Sequence, residues 1–217
     1  GIAKKGEDDL VKTVVTGIEW NTSRTGVVVP TGCFKTVEIL DSKVSRATLH
    51  NLNYIDSLKL KIGDRICCSK RNMVIPAIEV NLDYSEENYS LPLIEACPSC
   101  GAKLEIRVTE NTKNLYCPNE KCPARLLANF VHFVSKPCMN IDGLSEATLE
   151  KLIGEGFIKT YKDIYHLADY KREIINLEGF GGKSYNKLID AIEKSRNVKL
   201  ENFLNALGIP LIGKTAS

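Results

Sequence analysis

Long apolar runs are missing from this chain of 217 residues. No stretch approaches the roughly 18 residues that a transmembrane helix needs, so a membrane is not expected among its partners. The first ten residues hold two Lys, one Glu and two Asp, which excludes the apolar core of an export signal. Strong charge of one sign is missing too. A net charge of +2 does not by itself predict a polyanionic partner, so any nucleic-acid binding must come from local geometry. Histidine is scarce: His50, His132 and His166 are isolated from one another and show no metal-ligand spacing. What the chain does have is 43% hydrophobic residues, too many for a disordered polymer. Its length fits one or two domains, or several small ones.

Cysteine is plentiful. Eight thiols without an export signal point to the reducing cytoplasm, where a regular cysteine pattern favours metal over disulfide. Cys33, Cys67, Cys68 and Cys138 are scattered and read as small apolar residues. Cys67 and Cys68, adjacent on a predicted strand, are expected on opposite faces. Cys97, Cys100, Cys117 and Cys122 form the regular pattern. Two residues separate the first pair, four the second, and sixteen lie between the pairs. A two-residue gap lets two thiolates from one tight turn reach a single ion, and Pro98, Gly101 and Pro118 suit such a knuckle. Four thiolates in tetrahedral array favour Zn²⁺, because a d¹⁰ ion has no competing geometric preference. Iron is the rival ion, and four incidental cysteines are the bland alternative. A closed sulfur shell leaves no open position, so one structural ion is expected. A segment of 26 residues buries too little surface to fold alone, and metal binding can supply the missing roughly 10 kcal/mol.

Three segments follow different grammars. Residues 1–10 read as a tail, and residues 11–82 as a β-rich domain. Residues 11–20 are rich in β-branched side chains, 26–30 form a short apolar run, and 36–40 and 43–47 flank a turn or bulge at Asp41-Ser42. Leu49, Leu52 and Ile55 then recur every three residues, a helical stripe with Thr48 as its expected cap. Two more strands, 65–69 and 73–80, complete the order of an OB-fold barrel. An SH3-like barrel or an unrelated sheet is the alternative. Residues 83–96 are an acidic linker and 97–122 the zinc finger. Residues 123–217 read as an all-α domain of short helices punctuated by glycine, so the whole is multidomain. Stripes at Leu126/Phe130/Val134, Leu149/Leu152, Leu188/Ile192 and Phe203/Leu207 are expected to be core.

Glycine corners join these helices. Leu177-Glu178-Gly179-Phe180-Gly181-Gly182-Lys183-Ser184 precedes a helix. Glycine turns tightly there and leaves amide N–H groups uncovered at the helix start, a cradle for phosphate. Lys183 adds a point charge. Ile141-Asp142-Gly143-Leu144-Ser145 precedes another helix, and Leu207-Gly208-Ile209-Pro210-Leu211-Ile212-Gly213-Lys214 opens a third unit. One such corner is weak, since glycine between helices is commonly a C-cap. Three at a spacing of roughly 35 residues form a repeat and point to sequence-independent binding of DNA backbone.

The order of barrel, four-cysteine knuckle and helix-hairpin-helix array resembles the C-terminal half of the bacterial-type NAD-dependent DNA ligases. The resemblance rests on Arg24-Thr25-Gly26, Val44-Ser45-Arg46-Ala47-Thr48-Leu49-His50-Asn51, Ile62-Gly63-Asp64, Val74-Ile75-Pro76, Cys117-Pro118, Cys122-Pro123-Ala124 and Leu177-Glu178-Gly179-Phe180-Gly181. It implies a barrel lying in the minor groove near a nick. Arg24 would touch the sugar–phosphate backbone, with Arg46 on the same β-rich surface, and Val74-Ile75 would press on the groove floor beside Lys70 or Arg71. Gly143, Gly179, Gly181, Lys183, Gly213 and Lys214 would grip phosphates from the helical side. For each cation the alternative is a solvated charge, and for Val74-Ile75 a place in the core. Asn72-Met73 stand where the family has Gly-Asp, and Ser145 stands where a second glycine is usual, so the first corner is expected to grip less. Family members also carry a nucleotidyltransferase domain whose Lys-x-Asp-Gly lysine takes AMP from NAD. Here Asn140-Ile141 precede Asp142-Gly143, and no such motif occurs. The NAD-docking segment and the BRCT module have no counterpart either. The chain is therefore expected to be a fragment, ending inside a hairpin–helix unit. It should bind nicked duplex DNA but stay inactive alone. NAD and magnesium would enter only through an adenylation domain supplied in cis. The rivals are a non-catalytic repair or recombination module, and a structural protein whose zinc and helices only pack.

Overall fold

The computed structural model describes residues 10–87 and 93–209. Two compact units divide the chain after Ala124.

The first unit is built on one sheet in the order β5-β4-β1-β2-β7-β6, with β3 also paired to β2. Strand β1 (Val11–Thr22) is its spine, antiparallel to both β2 (Val27–Ile39) and β4 (Arg65–Arg71). Strands β3 (Ser42–Thr48) and β5 (Ile75–Asn81) flank these, and α1 (Leu52–Leu58) lies between β3 and β4 in sequence. Three strands, a helix and two strands make the OB order. The apolar runs at 26–30 and 36–40 are one continuous strand here, not two. Pro30 does not break it, because its carbonyl accepts from the Leu49 amide at 3.0 Å and its nitrogen faces the same edge. That edge lies between the residues paired to β7, Val27 and Val28, and those paired to β3, which begin at Thr31. At most the one bond that an N–H at position 30 would donate is lost there. A register shift between Cys33 and Val37 accounts for the break in alternation.

Helix α1 is capped by Asn51, whose Oδ1 accepts from the Tyr54 amide at 3.0 Å, and not by Thr48. Thr48 still pairs with Thr31 in the sheet, and its hydroxyl accepts from the His50 amide. The helix presses Leu52 and Ile55 onto Val15, Val28, Phe34, Leu49, Leu60, Ile66 and Ile78. Cys67 and Cys68 are both buried, as small apolar residues, at a register shift between β4 and β5. Burial pushes the Cys68 thiol up to about 12, with Cys67 and Glu79 adding to it, so it stays a neutral packing group. The strand expected at 73–80 begins at Ile75, because Asn72 and Met73 both take left-handed backbone (φ 52° and 60°) in a tight turn after β4.

The second unit is helical. It contains α2 (Pro123–Val134), which starts at the boundary, then α3 (Glu146–Gly154), α4 (Tyr161–Ile164), a 3₁₀ turn (Leu167–Tyr170), α5 (Lys171–Ile175), α6 (Gly182–Ser195) and α7 (Leu200–Ala206). Phe130, Leu149, Leu152, Ile158, Ile164, Leu167, Ile174, Leu188 and Ile192 form its core. Phe133 stacks on Tyr161 with ring centroids 4.2 Å apart. Three of the four expected stripes supply this core, although Leu126 of the first stands 39% exposed. In α7 only Ala206 is buried, while Phe203 and Leu207 are 41% exposed.

Candidate zinc centre and nucleic-acid interface

The knuckle Cys97-Pro98-Ser99-Cys100-Gly101 closes through Gly101 N–H to the Cys97 carbonyl at 2.9 Å, with Gly101 at φ +70°. A hairpin, β6 (Glu105–Val108) and β7 (Lys113–Tyr116), carries the chain to the second pair. Cys122 N–H closes its turn on the Asn119 carbonyl at 3.1 Å. The four sulfurs all lie within 4.8 Å of one another, with Cys97–Cys122 at 3.8 Å and Cys100–Cys117 at 3.6 Å. Tetrahedral ligation at a Zn–S length near 2.3 Å places sulfurs roughly 3.8 Å apart, so the residues fit the ion. Burial opposes charge on Cys97, but the Thr22 hydroxyl and the amides of Cys100 and Ser99 outweigh it and bring its thiol down to about 6. The Ala102 amide and the Asn119 side chain lower Cys100. Three of the sulfurs are buried and no ligand position is left open, so the zinc is structural. Thr22, the outside partner of Cys97 at 3.3 Å, was not visible in the cysteine pattern.

The barrel residues expected at DNA fall into two groups. Three cations have partners. Arg46 pairs with Glu19 at 2.9 Å, Lys70 with the Ser42 hydroxyl, and Arg71 with both carboxylate oxygens of Glu79 at 3.0 and 3.1 Å and with the Tyr54 hydroxyl at 3.3 Å. Arg24, on the Ser23–Gly26 turn between β1 and β2, has no hydrogen bond or ion pair among the described residues. Val74 and Ile75 are not core: with Met73 they stand 73%, 51% and 76% exposed on the β4–β5 turn. That turn is tied by Val74 N–H to the Arg71 carbonyl, and Arg71 is tied in turn to Glu79.

The glycine corners differ. At the second corner Gly179 turns left-handed (φ +84°), and a Cβ at Gly179, Gly181 or Gly182 would meet nothing within 4 Å. Gly181 is the N-cap of α6, its N–H donating to Ser184 Oγ at 2.9 Å. The first-turn amides of Gly182 and Lys183 have no intrahelical acceptor, and Lys183 is exposed. At the first corner Gly143 is also left-handed and exposed, but its α-carbon faces Leu188 of α6. Asp142 beside it pairs with Lys187 at 3.0 Å, which sets a carboxylate where a phosphate would approach. Ser145 caps α3 by accepting from Thr148 N–H. Gly213 and Lys214 lie outside the described residues.

Among the described residues, no helix is long and apolar enough to cross a membrane. Residues 12–89 match the NAD-dependent DNA ligase OB-fold domain and residues 96–124 the NAD-dependent DNA ligase C4 zinc finger domain. The chain is 45% identical to a DNA ligase of Lachnoclostridium phytofermentans and 46% identical to one of Ruminiclostridium cellulolyticum, each over 98% of this chain. It is 40% identical over its full length to a DNA ligase of Finegoldia magna. It spans about a third of these relatives, 32% of each. The chain carries the OB-fold and C4 zinc-finger domains of the NAD-dependent DNA ligases, and in these domains it belongs to that family.

Proposed function

We propose that this chain is the DNA-gripping part of an NAD-dependent DNA ligase that seals nicks in duplex DNA during replication and repair in the cytoplasm. The observation that carries this function is the β4–β5 turn. Three apolar side chains are held out in water on a hairpin whose base is braced by Arg71 and Glu79. An apolar tip of this kind suits the floor of a minor groove, where shape and not base identity is met. Arg24, with no partner among the described residues, is free to reach a phosphate. The helical unit acts as a helix-hairpin-helix array, gripping backbone at the corner of residues 179–183 through the open amides of Gly179, Gly182 and Lys183 and the helix N-terminus that Gly181 caps. Gly143 contributes less, because Asp142 stands beside it. Gly213 and Lys214 would act in the same way in a third corner.

In sealing, AMP passes from a lysine to the 5′-phosphate, and the 3′-hydroxyl then attacks that phosphate with AMP as the leaving group. NAD and magnesium serve these steps in an adenylation domain joined in cis. The residues here hold the duplex and orient the nick, a contribution of positioning rather than of bond making. Fluorescence anisotropy with labelled nicked duplexes of unrelated sequence tests this. Binding of comparable strength to each is expected. No binding, or strong preference for one sequence, would overturn it. Duplex binding that leaves sealing by an added adenylation domain unchanged would instead indicate a non-catalytic module.

A further inference from the structure

The zinc centre is not separate from the turn that bears Arg24. Strand β7, which ends one residue before Cys117, pairs with the first residues of β2: Val27 with Tyr116 and Val28 with Leu115. Cys117 N–H donates to the Gly26 carbonyl at 2.8 Å. Gly26 sits at φ +92°, and a Cβ there would come within 2.8 Å of the Tyr116 ring and 3.0 Å of the Cys117 carbonyl. At the other side of the same turn, the Thr22 hydroxyl lies 3.3 Å from Cys97 Sγ. A thiolate can only accept, so with the metal bound Thr22 is the donor. Two of the four ligands, one from each pair, are thus held by the two ends of the Thr22–Gly26 segment.

We infer that the β1–β2 turn is the outer shell of the zinc site, with Thr22 as a positioning residue for the Cys97 thiolate, so that metal loading sets the order of the turn that presents Arg24. Outer-shell partners orient metal ligands, and their loss commonly lowers metal affinity by roughly 10- to 100-fold. The metal then acts on the barrel's own contact surface and not only as a joint. The consequence for DNA rests on the proposed role of Arg24; the coupling between metal and turn does not.

The test uses the whole chain. Thr22→Val, with Thr22→Ala beside it in case valine packs poorly, should surrender zinc to a chromogenic chelator roughly 10- to 100-fold more readily, and Thr22→Ser should restore retention. Stripping zinc should speed hydrogen exchange of the Ser23 and Gly26 amides, both bonded inside the turn, while the Val74 amide of the β4–β5 turn keeps its rate. Wild-type zinc retention in both Thr22→Val and Thr22→Ala would overturn the role of Thr22. Unchanged exchange at Ser23 and Gly26 would overturn the coupling. Faster exchange with unchanged duplex affinity would uphold the coupling and sink the assignment of Arg24 to DNA.

Discussion

The barrel and the helical unit offer opposite things to a polyanion. On the barrel, Arg46 and Arg71 are each held by a carboxylate, and Lys70 is tied to Ser42. What the barrel leaves free at the β4–β5 turn is apolar, Met73, Val74 and Ile75, with Arg24 on the β1–β2 turn as its one proposed phosphate contact. On the helical unit the reverse holds. Leu177 and Phe180 beside the second corner are half-buried against the core, and the amides of Gly179, Gly182 and Lys183 are left free among the described residues, with the charge of Lys183. A phosphate contact needs an uncommitted donor, and a groove contact needs shape. The groove contact falls to the barrel alone and most phosphate contacts to the helical unit, and that division can be broken one residue at a time.

The largest effect is expected at the metal. Cys117→Ser should leave less than one zinc per chain by metal analysis. It should also lower the stability of the first unit by several kcal/mol, since zinc contributes on the order of 10 kcal/mol in small zinc modules. Trp20, the one tryptophan of the chain, reports unfolding of that unit. Next is Gly181→Asp. Gly181 has extended backbone (φ −158°) and open space around its α-carbon, so the substitution leaves the fold intact and places a carboxylate at the corner. Duplex affinity should fall about tenfold, roughly 1.4 kcal/mol, while Lys194→Ala changes it by less than about twofold. Equal losses would remove the corner from the interface. Val74→Ala should cost about 1 kcal/mol of duplex binding for the methyls removed with no change in salt dependence, because the contact is apolar. A changed salt dependence there would erase the contrast between the units.

The smallest effect concerns pH. The Arg65 guanidinium and amide hold Asp83 down from 3.8 to about 2. A carboxyl depressed in the folded state contributes stability above its ordinary value, and that contribution is lost as pH falls through about 2. Asp83→Asn should therefore destabilise the first unit slightly at pH 7, and the gap to the parent should close between about pH 4 and 2. A gap that persists at pH 2 would assign the effect to packing. Because Asp83 belongs to neither proposed contact, duplex affinity should not move.

Local spacing explains what was legible in advance. Two cysteine pairs fix a four-sulfur site because each knuckle is set by a few consecutive residues. The strand–helix–strand order of the barrel follows from period changes between residues 11 and 82. The joining of two runs into β2 was hidden, since Pro30 reads as a break and only its place between β7 and β3 makes it harmless. Thr48 reads as a cap and Asn51 serves as one, because sheet pairing with Thr31 claims Thr48 first. The Thr22–Cys97 contact spans 75 positions and the Arg46–Glu19 pair 27, so neither leaves a local trace. Periodicity marks an apolar face on α7 but does not say what covers Phe203 and Leu207.

The proposed grip on duplex DNA is tested most directly by a salt titration of its binding to the chain. Each neutralised phosphate releases counterions and adds about −0.9 to the slope of log affinity against log salt. A linear fall equivalent to several phosphates is expected, with a shallower slope for Gly181→Asp and an unchanged one for Val74→Ala. A slope near zero, or one that Gly181→Asp leaves untouched, would contradict it.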